Sequence, residues 1–145
     1  MRYWDSSALI PLIVEQASST ALRRVARDDP AVVTWWATPV ECASALGRLA
    51  RDDLLTPKAT AAAMSRLRSA TAMWTELAPS PDVKEQAIRL TRVHPLRAAD
   101  ALQLAAAIVA ASFQPRTLEF VTLDARQARA AEAEGFLVVS DSGVG

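Results

Sequence analysis

This chain is poor in cysteine, histidine and lysine, and each scarcity removes a class of chemistry. Cys42 is the only cysteine, so no intramolecular disulfide can form, a usage that fits a reducing cytosol. A single cysteine within Cys42-Ala43-Ser44-Ala45 reads as a small buried hydrophobe. His94 is the only histidine, so neither a two-histidine zinc site nor a cysteine–histidine pair is expected; it stands before Pro95, where a capping or surface role is expected. Lys58 and Lys84 are the only lysines, and the other basic side chains are arginine. The chain also lacks net charge: 16 basic side chains balance 16 acidic ones. Taken alone, that balance argues against a nucleic-acid binder. No apolar run is long enough to span a bilayer, since the longest, residues 101–113, contains Gln103 and falls short of roughly 20 residues. Nor is an export signal visible, because the first apolar stretch is cut by Asp5 and Glu15 and lacks a basic start. The expectation is a cytoplasmic protein with no membrane attachment.

What is present is a core-forming composition: 145 residues, 51% hydrophobic, the size of one ordinary domain spanning residues 1–145. Four carboxylates interrupt or abut its apolar runs. Asp5 separates Met1-Arg2-Tyr3-Trp4 from Ser6-Ser7-Ala8-Leu9-Ile10, and Glu41 lies between Pro39-Val40 and Cys42-Ala43. Asp100 breaks Leu96-Arg97-Ala98-Ala99 from Ala101-Leu102-Gln103-Leu104, and Asp124 follows Phe120-Val121-Thr122-Leu123. An isolated buried charge costs several kcal/mol unless it is paired or holds a metal. Four acids meeting in one cleft would make a site for a hard cation.

Hydrophobic patterning predicts strands over 1–4, 31–35, 76–79, 119–123 and 136–139. Helices are expected from Ser6 or Ser7 to about Glu15, with Pro11 bending or restricting it, and over 17–28. Further helices are expected over 38–51, 58–75, 81–93, 96–112 and 125–134, the last stopped by Gly135, with residues 140–145 as a frayed tail. Strands alternating with one or two helices imply a parallel sheet covered on both faces. In such sheets ligands bind beyond the carboxyl ends of the strands. Asp5 and Asp124 follow predicted strands, and Glu41 and Asp100 open predicted helices, so all four acids converge on one rim.

Each acid also has a local alternative. Asp5 and Asp124 suit helix caps, and Thr38 with Glu41 has capping-box spacing. Asp100 has Arg97 three residues before it, which allows an ion pair; Arg97 as a phosphate contact is the other reading. Arg23, Arg24 and Arg27 read as a solvated helix face. Of Trp35-Trp36, one ring is expected in the core and the other is available for base stacking. Trp74 and Met73 suit a core or a dimer contact. Setting the four acids aside leaves 16 basic against 12 acidic side chains, mostly arginine, which grips phosphate in a fork.

The blocks Asp5-Ser6-Ser7-Ala8-Leu9, Pro39-Val40-Glu41, Leu96-Arg97-Ala98-Ala99-Asp100-Ala101 and Phe120-Val121-Thr122-Leu123-Asp124 resemble the signature segments of PIN-domain nucleases. The resemblance is greatest to the small VapC toxins of bacterial toxin–antitoxin pairs, and it runs in order along the whole chain. It implies a three-layer α/β/α fold with a five-stranded parallel sheet. It also implies an endoribonuclease dependent on Mg²⁺ or Mn²⁺ that leaves 5′-phosphate and 3′-hydroxyl ends. The family's acidic positions fall on Asp5, Glu41, Asp100 and Asp124, and its hydroxyl positions on Ser7 and Thr122. Gln103 stands where many members have histidine, and Pro11 is unusual in the first helix.

Magnesium takes oxygen ligands and usually one or two direct carboxylates, for which Asp5 and Asp100 are the expected pair. Glu41 and Asp124 would then act through water or orient the nucleophile. The resemblance further implies an RNA substrate, a homodimer, a small antitoxin whose tail blocks the cleft, and operator DNA binding only through that antitoxin. Other readings are an RNA-processing nuclease that is not a toxin, a catalytically silent PIN interaction module, and a receiver-like domain. The last would need a pocket lysine that neither Lys58 nor Lys84 supplies.

Overall fold

A computed structural model describes residues 1–141. Its strands are β1 (Arg2–Trp4), β2 (Val32–Trp35), β3 (Thr75–Leu77), β4 (Glu119–Val121) and β5 (Leu137–Val139). Its helices are α1 (Ser6–Ile13), α2 (Ser19–Asp28), α3 (Thr38–Arg51), α4 (Pro57–Thr71), α5 (Pro81–Val93), α6 (Ala98–Ala110) and α7 (Ala125–Ala133). A 3₁₀ turn at Pro115–Thr117, not anticipated from the sequence, precedes β4. All strand pairs are parallel, in the order β3-β2-β1-β4-β5. The expected three-layer α/β/α architecture with a five-stranded parallel sheet is therefore observed. The ends of elements differ from expectation by a few residues: α4 stops at Thr71, which frees residues 72–74 to turn into β3. Of the tail expected over 140–145, residues 142–145 lie outside the described residues.

The period-two alternation of the strands decides which face each side chain enters. In β1, Tyr3 points to the layer of α5, α6 and α7, and Trp4 to that of α1–α4. In β4, Phe120 joins the first layer and Val121 the second. Tyr3 and Phe120, paired across β1 and β4, stack with ring centroids 5.2 Å apart. Helix α6 presents Ala101, Leu104, Ala105 and Ile108 to the sheet, and its small residues let it lie close against β2. Cys42 is fully buried in the other layer, and burial pushes its thiol pKa up to about 12, as befits a packing group. Trp74 packs against that same layer, whereas Met73 is exposed. Pro11 is buried within α1, and the helix stops two residues later. At the amino edge of the sheet, Arg2 ties β1 to β4 through Glu119 and to α2 through Asp28 and the Val25 carbonyl.

Three helices end in the same hydrogen-bonded reversal. Gly135, at φ +101°, closes α7: its N–H reaches Glu132 O, and Phe136 N–H reaches Ala131 O. The same pair of bonds closes α3 at Asp53 and Leu54, and α6 at Ser112 and Phe113. There the left-handed positions are held by Asp53 at φ 56° and, after α6, by two consecutive residues, Ser112 at φ 50° and Phe113 at φ 60°. A side chain in that region costs roughly 1–2 kcal/mol relative to glycine. Ser112→Gly is therefore expected to raise the unfolding free energy by about 1 kcal/mol in urea titration, with m unchanged. An unchanged or lower midpoint would show that Ser112 carries no strain.

Candidate active site

The strand order reverses its direction of growth between β1 and β4, which opens a crevice at their carboxyl ends. Asp5 is the first residue beyond β1, and its N–H continues the ladder to Val121 O at 3.0 Å. Its side chain is buried, 6% exposed, and no cation among the described residues pairs with it. Hydroxyls hold it instead. Thr122 Oγ1 donates to Asp5 Oδ2 at 2.6 Å and Ser7 Oγ to the same oxygen at 2.7 Å. Each hydroxyl is aimed by a backbone N–H that it accepts: Leu123 N–H to Ser7 Oγ and Asp124 N–H to Thr122 Oγ1. Ser6 Oγ lies 3.0 Å from Glu41 Oε2 and 3.3 Å from Asp5 Oδ1, so it bridges two carboxylates. Burial raises the Asp5 pKa, and the donated hydrogen bonds from Thr122, Ser7 and Ser6 partly offset it.

Glu41 reaches this place by a route the sequence did not indicate. The capping box that the Thr38–Glu41 spacing allows is absent, because Thr38 makes no cap hydrogen bond to the helix. Its Oγ1 turns inward, where it accepts from Trp35 N–H at 3.2 Å and Gln103 Nε2 at 2.9 Å. It also shares a 2.7 Å bond with Thr34, whose hydroxyl reaches Trp4 O at 2.7 Å. Tyr3 OH donates to Gln103 Oε1 at 2.7 Å. This buried network joins β1, β2, α3 and α6. Thr38 lies one turn before Glu41 and Gln103 one turn after Asp100, so the network fixes both acid-bearing turns.

Glu41 is half-buried, and burial raises its pKa, with the charges of Asp5 and Asp100 adding to the rise. The half-buried Asp100 is also raised, first by burial and then by the charges of Asp124 and Asp5. Arg97 opposes that rise, but the expected side-chain ion pair is absent: among the described residues Arg97 makes none with Asp100. Asp124 is exposed rather than buried. Its Oδ1 caps α7 by accepting from Arg126 N–H at 2.8 Å and Gln127 N–H at 3.1 Å. Capping and a site role are compatible here, since Oδ2 takes no hydrogen bond among the described residues. Gln127 Nε2 donates to the Asp100 carbonyl at 3.0 Å and so ties the first turns of α6 and α7 together.

The resulting cleft of about 930 Å³ is lined by Ser6, Ser7, Glu41, Asp100, Asp124 and Arg97; Asp5 is not part of the lining and meets it through its hydrogen bonds to Ser6 and Ser7. Two further arginines, Arg48 and Arg126, line it and were not anticipated. A spacing signal existed for Arg48: Glu41, Ala45 and Arg48 fall at i, i+4 and i+7 on one face of α3. None of the three guanidiniums is ion-paired among the described residues. The other expected candidates lie elsewhere. His94 ends α5, contacts Glu134 at 2.7 Å and does not line the cleft, and Arg23 pairs with Glu15 on the surface. No helix among the described residues is long and apolar enough to cross a membrane.

Among solved structures, two that share the fold align along nearly their whole length. One, a toxin–antitoxin complex from Klebsiella pneumoniae, aligns with a TM-score of 0.65 at 19% identity, covering 97% of this chain and 98% of that one. The other, PAE2754 from Pyrobaculum aerophilum, aligns with a TM-score of 0.65 at 21% identity, covering 99% of this chain and 92% of that one. What is shared is the fold. No family model and no curated protein sequence matches the chain.

The donor set of the cleft is oxygen throughout, which suits a hard cation. Among the described residues, no three His, Cys, Asp or Glu side chains gather tightly enough to cage an ion alone. An ion that keeps several waters and takes one or two carboxylates requires no such cage. Without a cation, the raised pKa values of Glu41 and Asp100 favour the folded state below their unfolded values and disfavour it as pH rises through the folded ones. Glu41→Gln and Asp100→Asn are therefore expected to raise Tm at neutral pH in EDTA, the gain fading towards about pH 4. Added Mg²⁺ should raise the Tm of the parent more than that of either variant. Variants that melt below the parent in EDTA would contradict this electrostatic reading.

Proposed function

We propose that the protein is a metal-dependent endoribonuclease and the toxin of a toxin–antitoxin pair. The observation that carries the proposal is Asp5: a buried carboxylate without a cationic partner among the described residues, held by hydroxyls at the crevice between β1 and β4, with Glu41, Asp100 and Asp124 around it. Such a carboxylate is costly to keep unless it serves a ligand. The ligand that suits it is Mg²⁺ or Mn²⁺, held by Asp5 and Asp100. When bound, the cation polarises a phosphodiester and lowers the pKa of a water molecule.

The protein's own groups do the rest. Ser7 and Thr122 keep Asp5 Oδ2 oriented, and Ser6 spaces Asp5 from Glu41. Glu41, with its raised pKa, is suited to accept a proton from the attacking water. Asp124 keeps one oxygen on the α7 cap and turns its carboxylate to the cleft. Arg48, Arg97 and Arg126 bind the phosphates that flank the cut. They explain how a chain of zero net charge holds a polyanion: the acids are gathered in the cleft and the arginines surround them.

The toxin assignment draws on the resemblance of the sequence blocks and on the fold shared with a chain from a toxin–antitoxin complex. A small antitoxin that places a basic side chain among the four acids would silence the site. Homodimerisation, and operator binding through the antitoxin alone, belong to the same proposal.

Asp5→Asn is expected to lower RNA cleavage by about a thousandfold or more and to relieve growth arrest on induction in cells. Wild-type rates in the purified variant would end the proposal. Asp124→Ser separates the two roles of that residue, because serine is as good a helix cap but carries no carboxylate. Cleavage should fall at least tenfold while Tm moves by only a degree or two. Equal loss of activity and stability would reduce Asp124 to a cap.

A further inference from the structure

A second depression opens on the same rim. It has a volume of about 510 Å³ and is walled by Trp35, Trp36, Pro79, Pro81 and Leu102, with Lys84 its only charged side chain. Trp35 is buried in the core, and Trp36 leans on it edge-on, ring centroids 6.5 Å apart and planes at 72°. The Trp36 backbone is fixed, since its N–H donates to Leu77 O at 3.1 Å. The residue is 57% exposed. A large aromatic ring held open to water beside two rigid prolines is a prebuilt flat surface. Prolines lack N–H groups, so that wall offers a peptide strand no donor.

We infer that this pocket holds one unpaired nucleobase of the RNA strand whose backbone crosses the acidic cleft, with Lys84 on a neighbouring phosphate. The inference rests on the nuclease reading and adds to it a preference for unpaired RNA. Continuity with the cleft supports it. Val40, exposed four residues after Trp36, lines the cleft, and on α6 Ala99 of the cleft and Leu102 of the pocket are three residues apart, neighbours on the helix surface. Trp36 stands just before α3 and Glu41 in its first turn, so pocket and cleft flank the same helix end. The flat ring, apolar walls and single cation match a base and its phosphate, and no acid lines the pocket to repel the latter. Stacking accepts any base, so the pocket selects a splayed strand over a duplex and not a particular sequence.

Binding of a fluorescein-labelled single-stranded oligoribonucleotide in EDTA, followed by anisotropy, tests this without cleavage. Trp36→Ala is expected to weaken binding about tenfold, and Trp36→Phe to restore most of it. Lys84→Ala should lower the salt slope by about one. An abasic nucleotide moved stepwise along the strand should at one position reproduce the loss in the parent and there change nothing in Trp36→Ala. Parental affinity in Trp36→Ala would overturn the pocket, even if the protein cuts RNA. Light scattering that shows a Trp36→Ala monomer in place of a parental dimer, with RNA affinity per protomer unchanged, would overturn it in favour of a contact between copies. Binding that depends on Trp36 without cleavage in Mg²⁺ would support the pocket and remove the nuclease reading. A parent that binds no RNA would remove both.

Discussion

The buried carboxylate of Asp5 is the constraint around which the rest of the site is arranged. An ionised oxygen pair at 6% exposure needs donors on every side that water does not reach. Ser7 lies two residues along the chain, but Thr122 is brought by a different strand, and both donate to the same oxygen. Their own lone pairs are occupied by the N–H groups of Leu123 and Asp124, so the hydroxyl protons point one way. The adjacency of β1 and β4 is thus needed by the charge as much as by the sheet. Even so satisfied, Asp5 keeps a raised pKa, because the hydroxyl donors only partly replace the water that burial removes.

A second polar layer lies beneath the first. Tyr3, Gln103, Thr38 and Thr34 form a buried chain of hydrogen bonds that ends on the Trp4 carbonyl, the last group of β1 before Asp5. A partly satisfied network in such a place would be worse than an apolar one, and this one leaves few free donors. It converts the packing of α6 and α3 against the sheet into fixed positions for Asp100 and Glu41. Gln103 is the central member: from α6 it accepts from Tyr3 of β1 and donates to Thr38 of α3.

Much of this was legible in one dimension. The strands were readable because short β-branched and aromatic runs alternate with long helical ones, and a parallel sheet is what such an order allows. The acids stood out because each interrupts an apolar run. Thr38 misled because its spacing to Glu41 is that of a capping box, yet a threonine hydroxyl also satisfies buried donors, and here tertiary partners outcompeted the helix end. Asp124 was expected to be buried and is not, since a residue just past a strand can turn either way. Arg48 shares a helical face with Glu41 by its i+7 spacing, but that spacing alone does not say that the face borders a cleft.

By itself the sequence determined the class of fold, the order of its elements and the residues able to do chemistry, because periodicity and local composition act over a few residues. Only the tertiary structure decided how those residues share their work. It chose which acid is buried and which exposed, which hydroxyls serve Asp5, and which arginines face the cleft. It also set Trp35 in the core and Trp36 in water, although the two are neighbours of one kind. These are outcomes of long-range contacts, in which a side chain's partners come from strands and helices distant in the chain, and no local pattern encodes them.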